Sequence, residues 1–161
     1  MHSSEPRRET VQLRLATVDD VDALLDLFET FFGESGYPPA IEFDRERAKG
    51  YLTAAISSGH EPHIIAPIGS YILGSISYEI DHTFSKEPFA VLGEVYARAE
   101  WRNSGLGRAL VQSAMDRAKH VDGATCMHIP ITSGHKSVPT LVNLFRKFGA
   151  EEIGTMMRKV L

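Results

Sequence analysis

The sequence predicts an α/β (α+β) fold in a single domain. Its 161 residues are one domain's worth, and 43% apolar with 24% charged residues is an ordinary globular composition. Segments with helical spacing of apolar residues alternate with strand-like segments in the order β-α-α-β-β-β-α-β-α-β. One of these segments, Ala124 to Ile131, is a continuous apolar run typical of a strand buried on both faces.

The N-terminal part predicts a strand followed by a capped helix. Residues 1–10 are polar and are expected to form a flexible tail before a domain spanning residues 11–161. Val11 to Ala16 alternates apolar and polar residues, as a half-buried strand does. Thr17 to Asp20 is close to a capping box with Asp in place of Glu, and the helix after it ends at Gly33.

The middle of the chain predicts a second helix and three strands. The helix begins near Asp44 and closes at Gly59. His63 to Ala66 is the first of the three strands, and Tyr71 to Ile80 and Phe89 to Ala97 are expected to pair as a hairpin.

Two further helices are predicted near the C-terminus. One runs to about Val121, before the apolar run Ala124 to Ile131. Pro139 lies in the first turn of the other, and Gly149 ends it. Glu152 to Leu161 is expected to be a closing strand.

Charge and hydropathy exclude several classes of function. A net charge of −4 argues against a nucleic-acid partner, because neutralising phosphates requires a basic excess. No apolar run is long enough to span a membrane, and residues 1–10 contain no hydrophobic signal segment. We therefore expect a cytoplasmic protein without a membrane partner.

Cysteine and histidine give no sign of a metal or a disulfide. Cys126 is the single cysteine and lies in the apolar run, where we expect a small buried side chain. No Cys/His spacing is typical of zinc, so no metal site is predicted.

The segment Arg102-Asn103-Ser104-Gly105-Leu106-Gly107 carries the chemistry. It follows a strand and opens a helix, whose first backbone N–H groups have no partner within the helix. These groups and the helix dipole favour a pyrophosphate. Gly105 and Gly107 let phosphate oxygens approach the main chain, and Arg102 and Arg108 add positive charge. A tight strand-to-helix turn would also explain two such glycines.

Together with the element order, this segment resembles the GCN5-related N-acetyltransferase (GNAT) family. That family carries Gln/Arg-x-x-Gly-x-Gly/Ala at the start of its third helix, which Arg102 to Gly107 matches. Glu94 to Arg102 is similar to the family's fourth strand and its exit. Leu144 to Ala150 is similar to Leu-Tyr-x-Lys-x-Gly-Phe, and Leu13 to Thr17 with Asp20 to the first strand and helix start.

The resemblance implies a mixed sheet that splays between the fourth and fifth strands, with acetyl-coenzyme A between them. Its pantetheine arm would pair with the backbone of Val95 and Ala97, and the N–H of Val95 would polarise the thioester carbonyl. An amine would then attack directly. The residues expected to bind the pyrophosphate are Arg102, Asn103, Ser104, Gly105, Leu106, Gly107 and Arg108.

Two positions depart from the family pattern. The tyrosine that protonates the leaving thiolate in many members corresponds to Phe145, which cannot donate a proton. The asparagine at the start of the last helix is replaced by Ser137-Val138-Pro139.

Glu94 is the candidate general base, since it lies in the strand beside the expected reaction centre. His128 is a second candidate, although a histidine in an apolar strand is more often a core residue. If the connection between the hairpin strands is centred between Lys86 and Glu87, Glu79 lies opposite Glu94. Two close carboxylates would then bind a cationic amine and take its proton. A register shifted by one residue would separate them.

The predicted function is acetyl transfer from acetyl-coenzyme A to a primary amine of a small molecule or peptide. A non-catalytic acyl-coenzyme A-binding module on the same fold is the alternative, and the absent tyrosine favours it. A structural domain that has lost the cofactor is a third reading, against which Gly105 and Gly107 argue. A homodimer is common in the family, and the sequence leaves the oligomeric state open.

Overall fold

The computed structural model describes residues 11–37, 41–131 and 138–154. Five strands and four α-helices follow one another in nearly the predicted order, with one 3₁₀ turn before the first helix and another after the fourth strand. The elements are β1 (Arg14–Leu15), a 3₁₀ turn (Val18–Asp20), α1 (Val21–Glu34), α2 (Arg45–Ser58), β2 (His63–Ile68), β3 (Tyr71–Asp81), β4 (Phe89–Ala97), a 3₁₀ turn (Ala99–Trp101), α3 (Leu106–His120), β5 (Met127–His128) and α4 (Val138–Lys147).

The predicted caps explain where the first helices begin and where α2 ends, whereas α1 continues through Gly33 to Glu34 instead of ending at Gly33 as predicted. The Asp20 carboxylate accepts hydrogen bonds from the backbone N–H of Thr17 at 2.8 Å and from its hydroxyl at 3.1 Å. Asp44 accepts from the N–H of Arg47 at 3.0 Å, which satisfies one of the free donors of α2. Gly59 ends α2 with φ +68°, a left-handed conformation that glycine adopts without strain.

The sheet is mixed, as the resemblance implied. Its strands lie in the order β1-β2-β3-β4-β5. The pairs up to β4 are antiparallel, and β4 and β5 are parallel. The β4–β5 ladder consists of Ala90 with Met127 and Val91 with His128, so in the part of the chain described here it stops well before the end of β4.

Helices cover both faces of the sheet, and each face has its own apolar core. On one face α1 and α2 pack on β2, β3 and β4 through Val21, Leu24, Leu25, Leu27, Leu52, Ile65, Ile72 and Tyr96. On the other face α3 and α4 pack through Ile64, Leu73, Ile76, Tyr78, Leu92, Leu110, Val111, Ala114 and Phe145. Each fully buried Leu, Ile or Phe contributes roughly 1.5–3 kcal/mol by leaving water.

A bulge in β4 changes the predicted hairpin register. Tyr78 pairs with Leu92 and Ile76 with Val95, so the single residue Ser77 lies opposite both Gly93 and Glu94.

The bulge and an off-centre connection together separate Glu79 from Glu94. The pair Asp81–Phe89 closes the hairpin connection, which is therefore centred at Ser85 rather than between Lys86 and Glu87. Glu79 consequently pairs with Val91, and the prediction that it faces Glu94 is wrong.

The edge of the sheet differs most from prediction. The first strand is reduced to Arg14–Leu15, and the fifth to Met127–His128 in place of Ala124 to Ile131. Ala124 is buried, but Cys126 and His128 are exposed, so the expectation of a buried Cys126 is wrong. Thr125, Cys126, His128 and Pro130 are all exposed, so the run is not buried on both faces as predicted.

Two predictions for the ends of the chain fall mostly outside the described residues. The predicted tail, residues 1–10, lies outside the described residues, as does most of the predicted closing strand. Residues 151–154, the part of that region that is described, are irregular and exposed. Among the described helices, none is both long and apolar enough to cross a membrane.

Candidate functional site

A cleft of about 460 Å³ lies where β4, the loop after it, α3 and α4 meet. The β4 and loop residues lining it are Val95, Tyr96, Ala97, Arg102, Asn103, Gly105, Gly107 and Arg108, with Phe31 of α1 and Val138, Thr140, Leu141, Asn143, Leu144 and Lys147 of α4. Seven of the residues predicted to bind a cofactor are therefore brought to one cavity. Ser104 and Leu106 are not among the lining residues, since Leu106 is buried in the core and the Ser104 hydroxyl donates to the Trp101 carbonyl at 2.6 Å.

The backbone of β4 is open toward this cleft. Arg98 donates its N–H to the Leu73 carbonyl of β3 at 2.9 Å. Successive residues of a strand direct their N–H groups to opposite sides, so Val95 and Ala97 direct theirs away from β3. The described ladder to β5 ends at Val91, which leaves the Val95 and Ala97 groups without a neighbouring strand there.

The loop before α3 places the N–H groups of the helix's first turn at the cleft. Asn103 and Gly105 have φ values of +66° and +92°, which turn the chain sharply into the helix. Gly105 caps α3, and the N–H groups of the first turn have no partner within the helix, although that of Leu106 donates to Ser104 Oγ at 3.3 Å. A Cβ placed on Gly107 would meet only Leu144 Cδ2, at an ordinary distance of 3.8 Å. The fold itself therefore does not require glycine at position 107.

The two arginines of the motif have different environments. Arg102 donates through Nε to the Ala97 carbonyl at 3.0 Å and forms a salt bridge with Glu34 of α1. Its guanidinium also lies 5.3 Å from the centre of the Tyr96 ring. Arg102 thus ties the loop to β4 and α1. Arg108 is exposed, with its guanidinium carbon 5.7 Å from the centre of the Phe148 ring.

A second group of polar side chains lies under α1 and α2, on the opposite face of β4 from the α3 core. We call it the carboxylate network, and it consists of Glu61, His63, Ser77 and Glu94. The Ser77 hydroxyl lies 2.6 Å from Glu61 Oε1 and 2.5 Å from Glu94 Oε2. His63 Nδ1 is 3.2 Å from Glu94 Oε1, and Nε2 is 3.6 Å from Glu61 Oε1.

The network is buried at one end and partly open at the other. The side chains of His63, Glu61 and Glu94 are 1%, 5% and 18% exposed. The Tyr51 hydroxyl of α2 donates to Glu61 Oε2, and this contact raises the pKa of Tyr51 well above its ordinary value. Glu94 is therefore the member with the most access to a substrate.

The carboxylates determine the charge of His63. Burial by itself lowers the pKa of the imidazole, but Glu94 first and Glu61 second outweigh it, so this pKa is raised above its ordinary value. Neither ring nitrogen makes a well-aligned hydrogen bond to a protein group. The contacts to the carboxylates are thus electrostatic in the main.

Gly93 makes room for the network in the bulge. A Cβ at this position would overlap the Ser77 hydroxyl and lie 2.9 Å from Glu61 Oε1. Any larger residue would displace the bridge between the two carboxylates. The carboxylate network therefore requires a glycine at position 93.

Glu61, His63 and Ser77 were not identified from the sequence. The available signal was the polar side chains within strands that are otherwise apolar, His63 in His63–Ile68 and Ser75 and Ser77 in Tyr71–Asp81. That signal does not show that residues from three strands meet.

Comparison with known proteins identifies the family. The model of the acetyltransferase (GNAT) family matches residues 21–150. The chain belongs to this family. A comparison with curated proteins finds no match.

Solved structures resemble this chain over nearly their whole length. A predicted acetyltransferase with acetyl-CoA from Clostridium acetobutylicum has a TM-score of 0.74 at 13% identity, with 94% of this chain and 96% of that chain covered. An aminoglycoside acetyltransferase from an uncultured soil metagenomic sample gives 0.71 at 16% identity, with 96% and 98% covered. A ribosomal-protein-alanine N-acetyltransferase from Brucella melitensis gives 0.70 at 11% identity, with 94% and 99% covered. At these low sequence identities, the structural similarity shows the fold alone.

The other residues proposed from the sequence lie apart from the carboxylate network. His128 is exposed on β5, with its ring centre 4.8 Å from that of Phe89. Glu79 is exposed on β3. Phe145, which matched the family tyrosine, is 2% exposed and belongs to the α3–α4 core rather than the lining of the cleft.

Proposed function

We propose that the protein is an acetyl-coenzyme A-dependent N-acetyltransferase that acts on a primary amine by direct attack in a ternary complex. The observation that supports it best is the cleft, in which the open backbone of Val95 and Ala97 meets the start of α3. The same cleft supports cofactor binding by the residues of the motif.

The residues fit the cofactor at both ends of the cleft. Apart from that of Leu106, which donates to Ser104 Oγ, the N–H groups of the first turn of α3 would bind the pyrophosphate, and the exposed Arg108 would add charge. Val95 and Ala97 would hold the pantetheine amides through their backbone groups, as a neighbouring strand would. Arg102 would act mainly by holding the loop, since its guanidinium already pairs with Glu34.

Acetyl-coenzyme A supplies the acetyl group as a thioester. The N–H of Val95 would donate to the carbonyl oxygen, on which negative charge develops during attack. Glu94 would accept a proton from the acceptor ammonium and so generate the nucleophilic amine. The acceptor is a primary amine of a small molecule or a peptide.

A substitution at Gly107 tests the cofactor site. A Cβ there meets only Leu144 at 3.8 Å, so Gly107→Val leaves the core in place but puts a branched side chain against the pyrophosphate. We expect coenzyme A affinity, measured by calorimetry, to fall at least tenfold, about 1.4 kcal/mol. The control is Gly50→Val, which places the same side chain on the exposed part of α2 with nothing within 4 Å. Equal affinity in the two variants would contradict the proposed cofactor site.

A non-catalytic acyl-coenzyme A-binding module is a second candidate function. It is favoured by Phe145, which offers no hydroxyl to protonate a leaving thiolate and lies buried in the core. Thiol release from acetyl-coenzyme A, measured with a panel of primary amines, separates the two functions. Amine-dependent release supports the transferase, and binding without release supports the module.

A further inference from the structure

The contacts of Ser77 leave room for a proton beyond its own. Its Oγ lies 2.6 Å from Glu61 Oε1, 2.5 Å from Glu94 Oε2 and 3.4 Å from the backbone N of Glu94. A hydroxyl has one proton to donate and two lone pairs to accept with. If it accepts from the Glu94 N–H and donates to one carboxylate, the other short contact becomes a hydrogen bond when that carboxyl group takes up a proton.

This geometry is that of two carboxyl groups sharing a proton through a hydroxyl. Contacts of 2.5–2.6 Å are typical of O–H···O⁻ hydrogen bonds, which are stronger than neutral ones. When the proton is present, the pair Glu61 and Glu94 carries one negative charge, which an imidazolium at His63 balances. A buried cluster that is neutral as a whole avoids the cost of an unpaired charge.

The orientation of His63 favours a proton over a metal ion. Its Nδ1 faces Glu94 and its Nε2 faces Glu61, so both nitrogens have a carboxylate before them. An imidazolium carries a proton on each nitrogen and so presents positive charge to both carboxylates, whereas a metal-bound histidine directs one nitrogen to the ion. Glu61, His63 and Glu94 are nevertheless of types that bind divalent cations, with one donor atom of each within 4.8 Å of the others.

We propose that the proton taken by Glu94 from the acceptor amine passes through the Ser77 hydroxyl to Glu61, with His63 holding the charge balance. The step breaks an N–H bond of the ammonium and forms an O–H bond on Glu94. Before the step both carboxylates are ionised and Ser77 donates to Glu61. Glu94 then gives the new proton to Ser77 Oγ as the original Ser77 proton moves to Glu61 Oε1, so the proton that the pair shares is the one taken from the ammonium. This inference rests on the proposed function, in which Glu94 is the base, and it makes Glu61 and Ser77 relay residues that do not touch the substrate.

Other titratable groups near the relay are Tyr51 and Glu79. The Tyr51 hydroxyl of α2 donates to the second oxygen of Glu61, and Glu79 of β3 acts on Tyr51 through its charge. From α1 the uncharged ring of Phe28 lies 6.1 Å from the His63 ring. Among these groups, Glu61 is the carboxylate that Ser77 joins to Glu94.

Glu61→Gln and Ser77→Ala test the relay. Each removes a proton acceptor or carrier without touching the cleft, so we expect kcat at neutral pH to fall at least tenfold at unchanged KM for acetyl-coenzyme A. The loss should shrink as the pH approaches the pKa of the acceptor amine, because a free amine has less need of a base. Glu87→Gln, an exposed carboxylate in the β3–β4 connection, is the matched control and should behave as the parent does. Parental activity in both relay variants, or a loss that is equal at every pH, would overturn the proposal.

If the parent protein releases no thiol with any amine, that result contradicts the proposed function but not the relay. Two further measurements then test the relay by itself. The ¹H NMR spectrum should show a low-field hydroxyl resonance from the short hydrogen bonds of Ser77, and Glu61→Gln should shift or remove it. A parent spectrum without that resonance would overturn the relay. So would a bound divalent metal that chelator removes from the parent and that Glu61→Gln no longer binds.

Discussion

His63 shows how a single residue acquires its charge from its surroundings. Its side chain is 1% exposed, which disfavours the imidazolium, yet Glu94 and Glu61 face its two nitrogens and raise its pKa. The folded pKa therefore exceeds the unfolded value of about 6.5. The stability that the charged ring contributes is complete below that unfolded value and is lost as the pH rises through the folded pKa.

Replacing His63 by Gln should destabilise the protein in a pH-dependent way. Below about pH 6 we expect the free energy of unfolding to fall by about 3 kcal/mol, because two buried carboxylates lose their cationic partner. The difference from the parent should shrink above the folded pKa of His63, where the parent ring is neutral. Denaturant unfolding over a pH series measures both, and His60→Gln, at an exposed position just before β2, is the control. A difference that is constant with pH would show that His63 is neutral in the folded protein.

At the scale of elements, the β3–β4 hairpin carries both sides of the site. The bulge at Gly93 and Glu94 lets one carboxylate join the network under α1 and α2, while the next residue keeps its backbone open to the cleft. The register beyond the bulge depends on close backbone packing at Gly74, which pairs with Ala97. A Cβ on Gly74 would lie 2.7 Å from the Tyr96 carbonyl oxygen and 3.2 Å from Leu110 Cδ1.

Gly74→Ala should therefore destabilise the fold. Neither the β4 backbone nor the α3 side chain can move without disturbing the core, and we expect a loss of about 2–3 kcal/mol. Gly50→Ala is the matched control, since position 50 is an exposed helical site with open space around it. That change should stabilise by about 0.5–1 kcal/mol through helix propensity. Urea unfolding of Gly74→Ala and Gly50→Ala measures the difference in their free energies of unfolding. Equal values would show that β3 and α3 are not closely packed at Gly74.

For the molecule as a whole, the cleft joins elements from both ends of the chain. Phe31 of α1, the end of β4, the start of α3 and one side of α4 all line it. A ligand that bridges them binds the folded state and not the unfolded chain. Folding stability should therefore increase with cofactor concentration.

Coenzyme A at about 100 times its Kd should raise the free energy of unfolding by about 2.7 kcal/mol. For a chain of this size, that is an increase in Tm of roughly 5–10 °C in a thermal melt. The Tm of Gly107→Val should respond much less at the same concentration, because its affinity is reduced. A parent Tm that does not change with coenzyme A would contradict cofactor binding in the cleft and favour a domain that has lost the cofactor.

The local sequence by itself determined the helices, most of their caps and the loop before α3. Asp44, Gly59 and Gly105 act on the turn in which they stand, and the residues from Arg102 to Arg108 are contiguous, so short-range chemistry was sufficient to predict this loop and to propose it as a cofactor site. The tertiary structure decided the carboxylate network and the extent of the edge strands. Glu61, His63, Ser77 and Glu94 meet only when three strands pair in one register. The off-centre connection and a one-residue bulge together moved the partner of Glu94 from Glu79 to Glu61 through Ser77. Because side chains alternate along a strand, such a one-residue shift changes which side chains meet, and nothing within either strand specifies it.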